Sequence, residues 1–184
     1  MAKTVDDSFV KIPVETFYLE MHTPPAAYIQ LPEDVTFVRW QAPPYEEYMN
    51  IYAAVGDEWG WSGRKVISQN EVEAAIHHPD TIIYKMVSDD QVVGFFELRK
   101  QHREIELVYM GVLPEAIGKG FGKLLLNQAI KKAWEENIDR FWLHTCTFDH
   151  AKAFSVYQKA GFVHYKTNIV EEYYPKDFLD KHGR

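Results

Sequence analysis

The stretch Glu106-Leu-Val-Tyr-Met-Gly-Val-Leu-Pro-Glu-Ala-Ile-Gly-Lys-Gly-Phe-Gly-Lys-Leu-Leu-Leu126 reads as a strand, a glycine loop and the start of a helix. Pro114 closes the strand, and Gly118, Gly120 and Gly122 let the backbone turn tightly and approach a ligand closely. The free amides and positive dipole end of the helix that follows favour anionic oxygens, for which a pyrophosphate is the natural occupant. Two other phosphate loops are excluded by spacing. A P-loop places four residues between its first glycine and Gly-Lys and then needs Ser or Thr, whereas here the enclosed segment is shorter and Leu124 follows Lys123. A dinucleotide fingerprint needs a third glycine where Lys123 stands, and its strand belongs to a βαβ unit rather than a meander.

Upstream, Thr81 to Ser88, Val92 to Arg99 and Glu104 to Val112 are strand-like segments separated by short polar turns, which predicts a three-stranded antiparallel meander. Gly111 within the third strand suggests a bulge. Before the meander, Val35 to Trp40 alternates as a strand, Pro43-Pro44 opens a helix from Tyr45 to about Val55, and Ser68 caps a helix running to about His77. Phe9 to Leu19 reads as a strand or hairpin arm, and residues 1–34 as an N-terminal extension packing on the domain formed by 35–184.

Downstream, Leu125, Leu126, Ala129, Ile130 and Ala133 share one helix face. Arg140 to Thr147 is a further strand, Asp149 caps a helix to about Ala160, Gly161 ends it, and Phe162 to Glu171 is the last strand. The later helices act as crossover connections, so the expected fold is α/β (α+β), three-layered, with a central mixed, mostly antiparallel sheet flanked by helices.

Composition narrows the function classes. The 184 residues, 46% hydrophobic and 15% aromatic, suit one domain with a single core. With 20 basic against 27 acidic residues the net charge is -7 and no Lys/Arg cluster is present, so no nucleic acid partner is expected. Met1 to Phe9 lacks the apolar run of a signal peptide and no segment approaches a membrane span, so a cytoplasmic protein that does not engage a membrane is expected. Cys146 stands alone and cannot form an internal disulfide. His144, Cys146, Asp149 and His150 superficially resemble a metal set, but no second ligand pair accompanies them and no metal is expected. Cys146 also lacks a clear base and orienting partner for a nucleophile.

A second segment, Leu143-His-Thr-Cys-Thr-Phe-Asp-His-Ala-Lys-Ala-Phe-Ser-Val-Tyr-Gln-Lys-Ala-Gly-Phe162, sharpens the reading. Together the two segments resemble the GNAT superfamily of acyl-CoA-dependent N-acyltransferases. Its members carry a Val-x-Pro strand end, an Arg/Gln-x-x-Gly-x-Gly loop and an Asn-x-x-Ala-x-x-x-Tyr-x-x-x-Gly-Phe helix. The resemblance covers roughly Val35 to Tyr165, with two departures: Ile117 at the Arg/Gln position and Asp149 taken in the Asn position.

The resemblance implies an N-acetyltransferase that moves an acetyl group from acetyl-CoA to a primary amine by direct attack in a ternary complex, without metal. Tyr157 is the implied general acid beside the sulfur, and Glu106 the implied general base, with Glu104 two residues away on the same strand face as the other carboxylate available. Met110, Gly111, Val112, Gly118, Lys119, Gly120, Phe121, Gly122, Lys123, Asp149, Ala153 and Tyr157 are the implied acetyl-CoA contacts, with an amide near Gly111 or Val112 bonding the thioester carbonyl. Trp59, Trp61 and Arg64 fall in the connection that lies over the substrate side in this fold, and Glu97 stands ready to meet an ammonium. The acceptor is a small-molecule or peptide amine, and a homodimer is common in the family. The competing expectations are a non-catalytic acyl-CoA-binding or sensing module, encouraged by Ile117 and Asp149, and an interaction domain using the aromatic N-terminal half.

Overall fold

Asp89 and Asp90 take left-handed φ values of 49° and 60°, the geometry of a tight type I′ hairpin whose twist matches the strands it joins. That turn sits in the middle of a chain whose computed structural model describes residues 5–183. In order, the elements are β1 (Phe9–Met21), β2 (Val35–Arg39), α1 (Tyr45–Gly56), α2 (Gln69–Ile76), β3 (Thr81–Ser88), β4 (Gln91–Gln101), β5 (Glu104–Val112), α3 (Phe121–Trp134), β6 (Arg140–Cys146), α4 (Ala153–Lys159), β7 (Val163–Pro175) and α5 (Lys176–Lys181). Among the described residues the strands form one sheet in the order β2-β3-β4-β5-β6-β1-β7. Every registered pairing is antiparallel except β5 with β6, so the sheet is mixed and mostly antiparallel, as expected.

Alternation along the strands divides the core between two faces. Met86, Phe96, Leu98, Ile105 and Leu107 pack with Leu125, Leu126, Ala129 and Ile130 of α3. Ile83 and Phe95 face the other way, onto Tyr48, Tyr52 and Val55 of α1 and Val72 and Ile76 of α2. The helical spacing of those apolar residues explains each buried stripe. Ser68 caps α2 through a reciprocal capping box with Glu71. A third cluster joins Val14, Phe148 and Tyr174 to Phe178 and Leu179 of α5. The result is the expected α+β sheet flanked by helices on both faces.

The segment expected to pack on the domain from outside supplies β1, which lies within the sheet. Thr16 to Met21 pair antiparallel with β6, and Phe9 to Glu20 pair antiparallel with β7. The crossover through α4 therefore leads from β6 to a strand one place further on. The last strand also runs on to Pro175, because β1 supplies partners as far as Phe9.

Two local expectations are corrected. The bulge in β5 is at Val108, not Gly111: Leu107 pairs Leu98, Tyr109 pairs Glu97, and the register shifts between them, whereas Gly111 pairs Phe95 regularly. Gly111 is there for space, since a Cβ would overlap Val55 Cγ1. Gly111→Ala should therefore lower stability by about 1–3 kcal/mol, and pairing it with Val55→Ala should restore part of the loss in urea unfolding. Asp149 does not cap α4, which begins at Ala153 without a side-chain cap; instead Asp149 Oδ2 accepts from Thr145 Oγ1 at 2.6 Å and from the Cys146 amide at 3.0 Å, closing the turn after β6.

The bulge has a consequence for the sheet. Registered pairs between β5 and β6 run from Glu104↔Arg140 to Leu107↔Leu143 and stop where Val108 bends the strand. Beyond that point the two strands separate, and a cleft opens between them.

Candidate functional site

The cleft widens into a cavity of about 1360 Å³ that reaches from the split strands to the start of α3. Its floor is the free edge of β5. The Leu113 amide bonds Val93 O at 2.9 Å across β4, so by strand alternation the amides of Met110 and Val112 point to the opposite edge, into the split. Both residues line the cavity, as does Gly111.

At one end, Gly118 and Gly120 hold φ of 84°, and a Cβ built on Gly118, Gly120 or Gly122 meets nothing within 4 Å. The loop is open on its ligand side. α3 has no side-chain N-cap; the Lys123 amide donates to Gly120 O at 3.2 Å, and the amides of Phe121 and Gly122 at the helix start are open to an anion. Gly118, Gly120, Gly122 and Lys123 line the cavity. Lys119 is exposed beside it, and Phe121 turns into the α3 core. Ile117 is exposed at the loop and adds an apolar contact where the family motif has a polar one.

On the opposite wall, Ala153 and Tyr157 of α4 and Asp149 line the same space. Burial, and next the charge of Asp149, push the Tyr157 phenol well above its ordinary value, so it stays protonated as a donor. Counted back from Ala153 and Tyr157, the Asn place of the motif falls on His150, one residue beyond Asp149. His150 packs its ring 5.3 Å from Trp59, and both line the cavity.

The other proposed acceptor contacts separate into two groups. Trp59 and Trp61 line the cavity, Trp61 from within an aromatic cluster with Tyr52 and Tyr109. Glu97 and Arg64 do not reach it. Glu97 is 2% exposed, its Oε1 bound to Arg64 Nη2 at 2.5 Å and its Oε2 accepting from Tyr48 Oη at 2.6 Å. Burial alone would lower the Arg64 pKa, but Glu97 outweighs it and the guanidinium is held more firmly charged. This correction has a simple cause: a mid-strand carboxylate with an arginine already on it has no free oxygen for a substrate ammonium. Glu104 is likewise paired, accepting from Arg140 Nη1 at 2.9 Å.

Several cavity residues fall outside the expected site, His144 and Cys146 having a place in the sequence only as members of an incomplete metal set. His144, Cys146, Glu172 and Tyr174 all line the wall formed by β6 and β7. Burial pushes the Cys146 thiol up to about 11, which makes it a poor nucleophile. Burial also raises Glu172. Among the described residues no group of three or more His, Cys, Asp or Glu is placed to hold a metal ion, and no helix is long and apolar enough to cross a membrane.

With the loop, the split strands and Tyr157 on one cavity, comparison with known proteins becomes informative. The sequence matches the Acetyltransferase (GNAT) family over residues 24–162, most of the chain. The chain belongs to the GNAT family. It is 33% identical over 92 residues to a [ribosomal protein bS18]-alanine N-acetyltransferase of Haemophilus influenzae, covering 50% of this chain and 60% of that protein. It is 31% identical over 84 residues to a spermidine N(1)-acetyltransferase of Vibrio cholerae, covering 45% and 47%. The matches thus span about half the length of these curated relatives. In structure, a GCN5-related N-acetyltransferase from Sphaerobacter thermophilus superposes with a TM-score of 0.62 at 15% identity, covering 88% of this chain and 52% of that one. That likeness shows that the GNAT fold is shared.

Proposed function

We propose that this GNAT protein is an acyltransferase that moves an acetyl group from acetyl-CoA to a primary amine, as a cytoplasmic enzyme working without metal. The observation that carries this reading is the shared cavity: an open glycine cradle at the start of α3, an unpaired β5 edge, and the half-buried phenol of Tyr157. Acetyl-CoA supplies a thioester-activated acetyl group. The residues at hand leave room for it, since no Cβ crowds the cradle and one cavity of about 1360 Å³ is lined from the split strands to the start of α3.

Each wall has a task. The loop amides not already bonded within the turn, with the α3 dipole, hold the pyrophosphate, while those of Lys119 and Lys123 donate to Ala116 O and Gly120 O. Met110 and Val112 hydrogen-bond along the elongated arm and polarise the carbonyl. Tyr157 delivers its proton to the departing sulfur. Deprotonation of the amine draws on the Glu106 carboxylate, which stands off the wall, 3.5 Å behind the cavity-lining His144. The acceptor approaches past Trp59 and Trp61, and the amine acceptors named for the two curated relatives, a protein alanine and spermidine, support a small-molecule or peptide amine here.

The test joins calorimetry to a transfer assay. Acetyl-CoA should bind the wild type, and acetyl should pass to at least one member of a panel holding spermidine and a peptide with N-terminal alanine. Tyr157→Phe should keep the binding and lose roughly 100-fold or more in turnover. Binding with no transfer to any amine would favour a sensing module instead, and no binding would overturn the acyltransferase reading outright.

A further inference from the structure

Glu106 and His144 face the same side of adjoining strands, but only one of them meets the cavity. The parallel register places Glu106 beside Trp142, and His144 lies two residues further along β6, past the last registered pair Leu107↔Leu143. The split of the sheet therefore leaves His144 without a β5 residue registered across from it. Its side chain is 38% exposed and lines the cavity, while Glu106, 16% exposed, is not among the described residues of the wall. Glu106 Oε1 stands 3.5 Å from His144 Nδ1.

We infer that His144 takes the proton from the acceptor nitrogen at Nε2, and that Glu106 is a positioning residue behind it. This deepens the acyltransferase reading and rests on it. With Glu106 Oε1 3.5 Å from Nδ1, the tautomer that carries its proton on Nδ1 turns a donor to the carboxyl group and leaves the Nε2 lone pair for the acceptor. The acceptor arrives as an ammonium and gives one proton to Nε2. Its freed lone pair forms the C–N bond, the C–S bond breaks, and the bonding pair leaves on sulfur. Tyr157 protonates that sulfur and regains a proton from the second N–H, and the imidazolium returns its proton to solvent.

The groups facing His144 are Glu106 from β5, Glu172 from β7, Asp149 after β6, and the Tyr18 ring of β1 at 5.9 Å. Burial opposes the imidazolium, but the three carboxylates, Glu106 first, outweigh it and raise the pKa above the usual imidazole value. A base must be neutral to act, so the acidic limb of kcat/KM should lie above about pH 6.5.

The experiment has two arms. In NMR titration of the apo protein, the His144 imidazole should titrate above the ordinary histidine range, and Glu106→Gln should bring it down. In the transfer assay, His144→Gln should bind acetyl-CoA like the wild type, lose roughly 100-fold in kcat/KM and lose the acidic limb. Glu106→Gln should keep part of the rate, with the limb moved to lower pH. A wild-type rate and limb in His144→Gln, or a His144 titration indifferent to Glu106→Gln, would overturn the inference and return the base to the carboxylate. A wild type that neither binds acetyl-CoA nor acetylates any amine would instead remove the acyltransferase reading on which the inference rests.

Discussion

Arg64→Ala should destabilise the protein by about 3–5 kcal/mol, because it strips a buried carboxylate of its counter-ion. Glu97 lies mid-strand in β4 at 2% exposure, and its Oε1 has Arg64 Nη2 at 2.5 Å. Removing the guanidinium leaves a charge that keeps only the Tyr48 hydroxyl, itself buried and pushed up by burial and by Glu97. Around it pack Tyr48, Tyr52 and Phe95, and only the Arg64 side chain, 12% exposed, leads from the carboxylate toward the surface. For a chain of this size the loss corresponds to roughly 6–20 °C in Tm. Arg64→Met with Glu97→Leu should recover most of it, since replacing both charges by apolar groups removes the desolvation cost along with the attraction. Urea unfolding of the single and double variants measures the difference. A loss below about 1 kcal/mol in Arg64→Ala, the range of an exposed pair, would mean that the pair is hydrated and Glu97 accessible after all.

The same pair shows where a linear sequence misleads. Arg64 and Glu97 are 33 residues apart and each looks like an exposed charge near a substrate; nothing local says that the fold closes them on one another. The meander was legible because its information is local: alternation and tight polar turns such as Asp89-Asp90 fix antiparallel neighbours. So was α3, whose apolar stripe and glycine start are contiguous. The place of β1 was not legible, because Thr16 pairs with Cys146 and Asn168, and such distant registry leaves no trace in either segment alone. Residue type points to Gly111 for the bulge, whereas it falls on Val108, a β-branched residue with no turn signature. His144 reads in the sequence only as one member of an incomplete metal set; it lines the cavity just past Leu107↔Leu143, where the registered pairing of β5 and β6 ends beside that bulge.

Gly120→Glu should abolish measurable acetyl-CoA binding while leaving the protein folded. The conformational cost is modest: φ of 84° at Gly120 is left-handed, a strain of roughly 1–2 kcal/mol for a side chain. Steric cost is absent, since a Cβ there meets nothing within 4 Å. A carboxylate at the N-cap of α3 even gains about 0.3–1 kcal/mol from the helix dipole, which offsets part of the strain. The fold thus tolerates the charge for the reason that the ligand does not. If the loop holds the pyrophosphate as proposed, the new carboxylate satisfies its amides and repels the phosphate oxygens, and affinity should fall at least 100-fold, about 2.7 kcal/mol. Gly120→Ala separates charge from strain, carrying the same φ penalty with no anion, and should keep affinity within about tenfold. Calorimetry on the three proteins, each with a thermal melt to confirm folding, decides the matter. If Gly120→Glu binds acetyl-CoA like the wild type, the pyrophosphate is not held at the start of α3. If Gly120→Ala falls as far as Gly120→Glu, it is the left-handed backbone of the loop, and not its electrostatics, that the ligand reads.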